Sequence, residues 1–316
     1  MPIKPQRLNF GDTIALVAPA SPPADAGAVD QSIAALEKIG FEVKLARHAR
    51  KRRGFLAGTD RERAADLMDA FRDRHVKAVI CLRGGYGTAR LLPLLDFELI
   101  RRNAKIFIGF SDVTSLHCAF LKKSGLISFH GPMAATHFIR KEFPDFTLRG
   151  FLRTLMEPEP PGGIRQGYDG KTVRILRRGM ASGPLIGGNL AVLCALLGAP
   201  FQPAFKGRIL FLEDLDEPPY RFDRMLTHLM NAGALKQLAG IAIGLCRNCE
   251  DPKAAAGEYR QSLQDVLKER LLPLNVPVVT GLPFGHAPHN ATLPVGARAT
   301  LDAEKGDLII TSAAVA

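Results

Sequence analysis

Several short stretches of the 316-residue chain carry residue types that do acyl chemistry. "GFSDV" at 109–113 sets Ser111 between an apolar run, "KIFIGF", and a segment of helical spacing, "VTSLHCAFLKKSG". A serine at such a junction can cap the helix, its oxygen accepting an N–H bond. It can also be a nucleophile on a tight turn, with helix N–H groups turned toward a reacting carbonyl. The stretch resembles the G-x-S-x-G elbow, with Val113 in place of the second glycine. "RGGYG" at 83–87 follows another apolar run. Its glycines serve a tight turn through positive φ, or leave bare backbone N–H groups for an anion or oxyanion. The spacings of the two common nucleotide-binding glycine motifs are absent, which argues against a nucleotide site.

A serine acts as a nucleophile only with a base and a group that orients that base. In "RILFLEDLDE" at 208–217, Ile209 and Phe211 alternate with Leu210 and Leu212, so both faces read as buried. Glu213 is the first ionisable residue at the end of that strand. A carboxylate so placed is costly unless paired, which suits an orienting acid. Asp214, Asp216 and Glu217 are expected in a solvated turn. The base is sought in "GLPFGHAPHN" at 281–290, where His286 follows a strand and a glycine. His289 lies three residues on, so a metal pair is the competing reading. Pro288 disfavours the single helix face that such a pair would use. "CRNC" at 246–249 is one C-x-x-C without a second pair, too little for a structural zinc site.

The elements that must hold these loops follow from hydrophobic period. Strands are expected at "TIALVAPAS", "FEVKLA", "VKAVICL" and "KIFIGF". Helices are expected at "AVDQSIAALEKIG", "DRERAADLMDAFRD", "TARLLPLLD" and "VTSLHCAFLKKSG", the second with Ala64, Leu67, Met68 and Phe71 on one face. Such alternation implies a parallel sheet covered on both faces, with ligands at the carboxyl ends of its strands. "MEPEPPGGIRQGYDG" at 156–170 reads as a linker between residues 1–155 and 171–316. The second half reads as α+β: strands in "RILFLEDLDE", "GIAIGLC" and "VPVVTGLPFG", helices at about 221–231 and 259–271, and a closing hairpin over "GARATLDAEKGDLIITS".

Composition narrows the partners. A net charge of +11 admits nucleic acid, but the basic residues are scattered, aromatics make up 7% and no nucleic-acid module is visible. The same charge steers a small carboxylate substrate. Five cysteines, an odd number, point to reduced thiols and the cytoplasm. The first residues show no apolar core of a signal peptide. "LAVLCALLGA" is about half the roughly 20 residues of a membrane span and reads as a buried helix.

The motifs "VAPAS", "GFLAGTDRERAADL", "RGGYG", "GFSDVTSLH", "HGPM", "GPLIGGNL", "LFLEDLDEPPYRFDRML" and "GHAPHNATLPVG" together resemble the L,D-carboxypeptidase family. These are the muramoyl-tetrapeptide carboxypeptidases of peptidoglycan recycling. The resemblance runs through nearly the whole chain. It implies a Ser–Glu–His serine hydrolase, with Ser111 as nucleophile, Glu213 as acid and His286 as base. It also implies a Rossmann-like parallel-sheet N-terminal domain, a C-terminal domain with a small barrel-like sheet, and a homodimer. No cofactor or metal is implied. On this reading the N–H groups of Asp112 and Gly85 form the oxyanion hole, and Arg83 and Arg221 are candidates for gripping the substrate's terminal carboxylate. The implied reaction releases the terminal D-alanine of a murein tetrapeptide. A family branch hydrolyses peptide–nucleotide antibiotics such as microcin C, and a non-catalytic ligand-binding domain is the distant alternative.

Overall fold

The structure, a computed structural model, describes residues 2–25, 27–250 and 261–316. Its first half alternates as the apolar periods predict: β1 (Thr13–Val17), α1 (Ala28–Ile39), β2 (Glu42–Leu45), α2 (Asp60–Arg72) and β3 (Val76–Cys81). There follow α3 (Phe97–Arg102), β4 (Ile106–Gly109), α4 (Thr114–Ala119), β5 (Ser128–His130) and α5 (Asp145–Met156). Helix α2 starts at a capping box, in which Thr59 and Glu62 each bond the other's backbone N–H. It buries Ala64, Leu67, Met68 and Phe71 together with Arg63 and Asp66. The segment 88–96 does not form the expected α-helix. Residues 89–94 make a 3₁₀ turn with Pro93 inside it, since proline has no N–H to give an α-helical bond.

The second half supplies β6 (Gly162–Gly163), β7 (Arg174–Arg177), β8 (Met180–Asn189), α6 (Leu190–Ala195), β9 (Ile209–Glu213) and α7 (Pro219–Asn231). It continues with β10 (Gly240–Ile243), α8 (Leu263–Leu271), β11 (Val278–Thr280), β12 (Leu293–Val295), β13 (Arg298–Asp302) and β14 (Asp307–Ile310). Residues 259 and 260 of the expected last helix lie outside the described residues. β8 has no counterpart among the strands expected from the sequence, because "GPLIGG" carries the residues that interrupt strands. The glycines there answer close contacts instead. A Cβ on Gly187 would lie 1.8 Å from the Phe211 carbonyl oxygen, and one on Gly188 would lie 2.3 Å from Thr114 Oγ1.

Two sheets result. One has the order β12-β5-β4-β3-β1-β2, with β1 to β5 parallel and β12 antiparallel at the edge. The other is mixed, in the order β6-β14-β13-β8-β9-β10-β11-β7. It curls strongly: a Cβ on Gly240 of β10 would sit 3.1 Å from Leu301 Cδ2 of β13, three strands away. β12 therefore carries the second half of the chain into the first sheet. Within β9 the four apolar side chains are fully buried, each contributing about 1.5–3 kcal/mol. That burial holds the strand end, and with it Glu213, in place.

Candidate active site

Ser111 opens a 3₁₀ turn that joins β4 to α4, and its φ is +65°. A non-glycine residue there is strained by about 1–3 kcal/mol, so the surroundings must hold it. Asp112 does much of this. Its carboxylate accepts the Thr88 N–H at 2.8 Å and its carbonyl accepts the Thr88 hydroxyl, which also meets Ser115 Oγ at 2.7 Å. Gly84 explains the glycine loop: a Cβ there would lie 2.9 Å from Ser111 Cβ and 3.2 Å from its Oγ. Arg63, almost fully buried, pins the far end of the loop by donating to the carbonyls of Pro19 and Gly87. Ser111 does not cap the helix. Its hydroxyl faces His286.

His286 Nε2 lies 3.0 Å from Ser111 Oγ, and its Nδ1 lies 2.6 Å from Glu213 Oε2. The Phe110 ring packs edge-to-face on the imidazole at 4.8 Å. Glu213 is fully buried, at the carboxyl end of β9. Burial alone would lower the His286 pKa. The Glu213 hydrogen bond and the charges of Glu213, Asp214 and Asp216 outweigh it, so the pKa is raised. An imidazole removes a proton only when neutral. The kcat/KM profile, which reports the free enzyme, should therefore fall on the acid side with a midpoint above the ordinary value of 6.5. A pH–rate series checks this, and a midpoint below 6.5 would contradict the pairing.

The turn after β9 differs from expectation. Asp216 is exposed, but Asp214 is only 3% exposed. It accepts hydrogen bonds from Asn189 Nδ2 at 2.7 Å, Ala191 N–H at 3.0 Å and its neighbour Leu215 N–H at 2.9 Å. The start of α6 thus takes up a carboxylate that a local reading leaves to solvent. Burial and the nearby Glu213 charge push its pKa up to about 6. Asn189, absent from the sequence candidates, caps α6 by accepting the Val192 N–H. An asparagine just before an apolar helical run was the available signal.

A cavity of about 370 Å³ opens over the serine, lined by Arg83, Gly84, Gly85, Ser111, Asp112, Thr136, Asn189, Asp214 and His286 among others. The N–H groups of Gly85 and Asp112 have no acceptor among the described residues. Arg83 lines the cavity and donates to the Pro22 carbonyl at 3.3 Å. Arg221 does not line it; it is exposed on α7 and pairs with Glu217 at 3.4 Å. His289 also points elsewhere, stacking near Phe146 and Tyr168. Among the described residues no group of three or more His, Cys, Asp and Glu side chains is placed to hold a metal. The five cysteines are free.

Residues 14–131 match the LD-carboxypeptidase N-terminal domain, and residues 182–301 match the LD-carboxypeptidase C-terminal domain. The chain belongs to the LD-carboxypeptidase family. It is accordingly a serine-type carboxypeptidase. A probable murein peptide carboxypeptidase of Bacillus subtilis is 39% identical over 97% of this chain and 94% of its own length. The crystal structure of a muramoyltetrapeptide carboxypeptidase from Oxalobacter formigenes superposes with a TM-score of 0.81 at 36% identity, covering 94% of this chain and 97% of that one. The microcin C7 self immunity protein MccF, in its wild-type apo state, superposes with a TM-score of 0.88 at 26% identity over all of both chains. No helix among the described residues of this carboxypeptidase is long and apolar enough to cross a membrane.

Proposed function

We propose that this carboxypeptidase releases the terminal D-alanine from murein tetrapeptides, in peptidoglycan recycling, through an acyl-enzyme. The observation that carries the reading is the hydrogen-bonded line Ser111–His286–Glu213 beside an open cavity. His286 takes the Ser111 proton, and Oγ attacks the carbonyl of the penultimate residue. Glu213 holds the imidazole in the tautomer that can accept that proton and stabilises the imidazolium that forms. The N–H groups of Asp112 and Gly85 receive the oxyanion, each such donor being worth about 2.7–4 kcal/mol of barrier. His286 then protonates the leaving amine, D-alanine departs, and water hydrolyses the ester. Arg83, which lines the cavity, grips the terminal carboxylate on this reading.

Three peptides test the bond specificity. The tetrapeptide should lose one alanine, as read by mass spectrometry. Amidating its terminus removes the charge and should weaken binding strongly, since hydrogen bonds to charged groups contribute roughly 1.5–3 kcal/mol. A pentapeptide ending in D-Ala-D-Ala has its L,D bond one residue further in and should be cut poorly. Equal cleavage of all three would sink the assignment. The full-length likeness to MccF supports a second reading, hydrolysis of peptide–nucleotide antibiotics. Cleavage of such a compound, with the tetrapeptide untouched, would replace the first reading with the second.

A further inference from the structure

His286 sits on a strap that leaves the second sheet after β11 and enters the first as β12. Residues 281–292 form no strand or helix. Backbone bonds to the end of β10 hold the strap as far as Gly285, which bridges Leu245, and beyond it the imidazole must still stay aligned with Ser111 and Glu213 on different sheets. Two fully buried polar side chains tie the strap down. Asn290 Oδ1 accepts the N–H of Gly285, the residue before the histidine, at 3.1 Å. Asn290 N–H donates to Thr147 Oγ1 at 3.0 Å, and that hydroxyl donates to the Pro288 carbonyl at 2.9 Å. Thr147 lies in the first turn of α5, an element of the first half. Both capacities of one hydroxyl are thus spent on the segment 288–290.

Gly285 shows how little slack the strap has. Its φ is +104°, and a Cβ there would lie 2.9 Å from both Cβ and Oε2 of Glu213. The backbone of the strap therefore rests directly on the carboxylate that His286 must reach. A shift of Gly285 moves the imidazole relative to both partners at once.

We infer that Asn290 and Thr147 are positioning residues for His286, bracing its loop against α5 so that Nε2 meets Ser111 while Nδ1 stays on Glu213. Neither touches the reacting atoms. The inference rests on the reading of His286 as the base, and it is silent about which peptide is cut.

The test uses covalent labelling of the full-length protein by a fluorophosphonate, which needs an activated serine but no peptide. Thr147→Val keeps the side-chain shape and removes the hydroxyl; Thr147→Ser keeps the hydroxyl. Asn290→Ala removes the other half of the brace. With folding verified by circular dichroism at the assay temperature, Thr147→Val should label about ten- to a hundredfold more slowly, the scale of a sub-ångström to ångström misplacement. Its pH–rate midpoint should move to lower pH, because an imidazole that drifts from Glu213 loses the bond that raises its pKa. Thr147→Ser should restore both rate and midpoint. Labelling of Thr147→Val at the wild-type rate and midpoint would overturn the inference, whatever Asn290→Ala does. So would equal slowing in Val and Ser, which would assign the effect to packing. A wild-type protein that labels but leaves murein tetrapeptide intact would sink the proposed substrate and leave this test standing. A wild-type protein that does not label would sink the base itself.

Discussion

Replacing Ser111 or His286 by alanine should lower kcat about 10⁶-fold, the loss seen when either member of a comparable triad is removed. The two losses should be similar, and the double variant scarcely worse, because nucleophile and base act as one unit. With Nε2 3.0 Å from Oγ, the proton transfer and the attack share one geometry. Neither change should unfold the protein. Ser111 borders the cavity, and its strained φ is held by the Asp112–Thr88 bonds, which alanine leaves intact. Single-turnover kinetics with melting temperatures alongside would separate the two effects. A Ser111→Ala enzyme within tenfold of wild type would remove the mechanism.

The parts of the site that a sequence reader could see are those set by local period. β9 alternates apolar residues on both faces, so the first ionisable residue after them had to stand at a strand end. Glu213 is there, fully buried. The two loops of the first half were legible for the same reason, each following a buried parallel strand. What escaped depended on contacts between distant segments. Asp214 reads as a turn residue until α6 is seen to offer it two N–H donors, Asn189 Nδ2 and Ala191 N–H. β8 is hidden by its own glycines and Pro184; Gly187 and Gly188 stand there because Phe211 and Thr114 come so close, a contact between distant segments. Arg83 and Arg221 looked alike as cations near a loop. Only the fold shows that one lines the cavity and the other pairs with Glu217 at the surface. The crossing of the strap into the first sheet had no local signal, since the three residues of β12, Pro294 among them, carry too little pattern to place.

The second large loss is expected at Glu213. Glu213→Gln keeps the shape of the side chain and exchanges an acceptor for an amide. Gln can present its NH₂ to His286 Nδ1, which then becomes the acceptor and leaves the proton on Nε2. That tautomer donates to Ser111 Oγ where the reaction needs it to accept. In a comparable triad the equivalent acid-to-amide change costs about 10⁴ in kcat, so the loss should be smaller than at Ser111 or His286 and still large. KM should change little, because Glu213 is fully buried beneath the histidine and does not line the cavity. Stability should fall toward acid pH, where a protonated His286 has lost its carboxylate partner. The pH profile gives an independent readout. The hydrogen bond to Glu213 and its charge are what raise the His286 pKa against the opposing effect of burial. Without them burial dominates, and the acid limb of the residual activity should move to lower pH. A variant that keeps kcat within tenfold, with its acid limb unmoved, would show that Glu213 neither orients nor stabilises the imidazole.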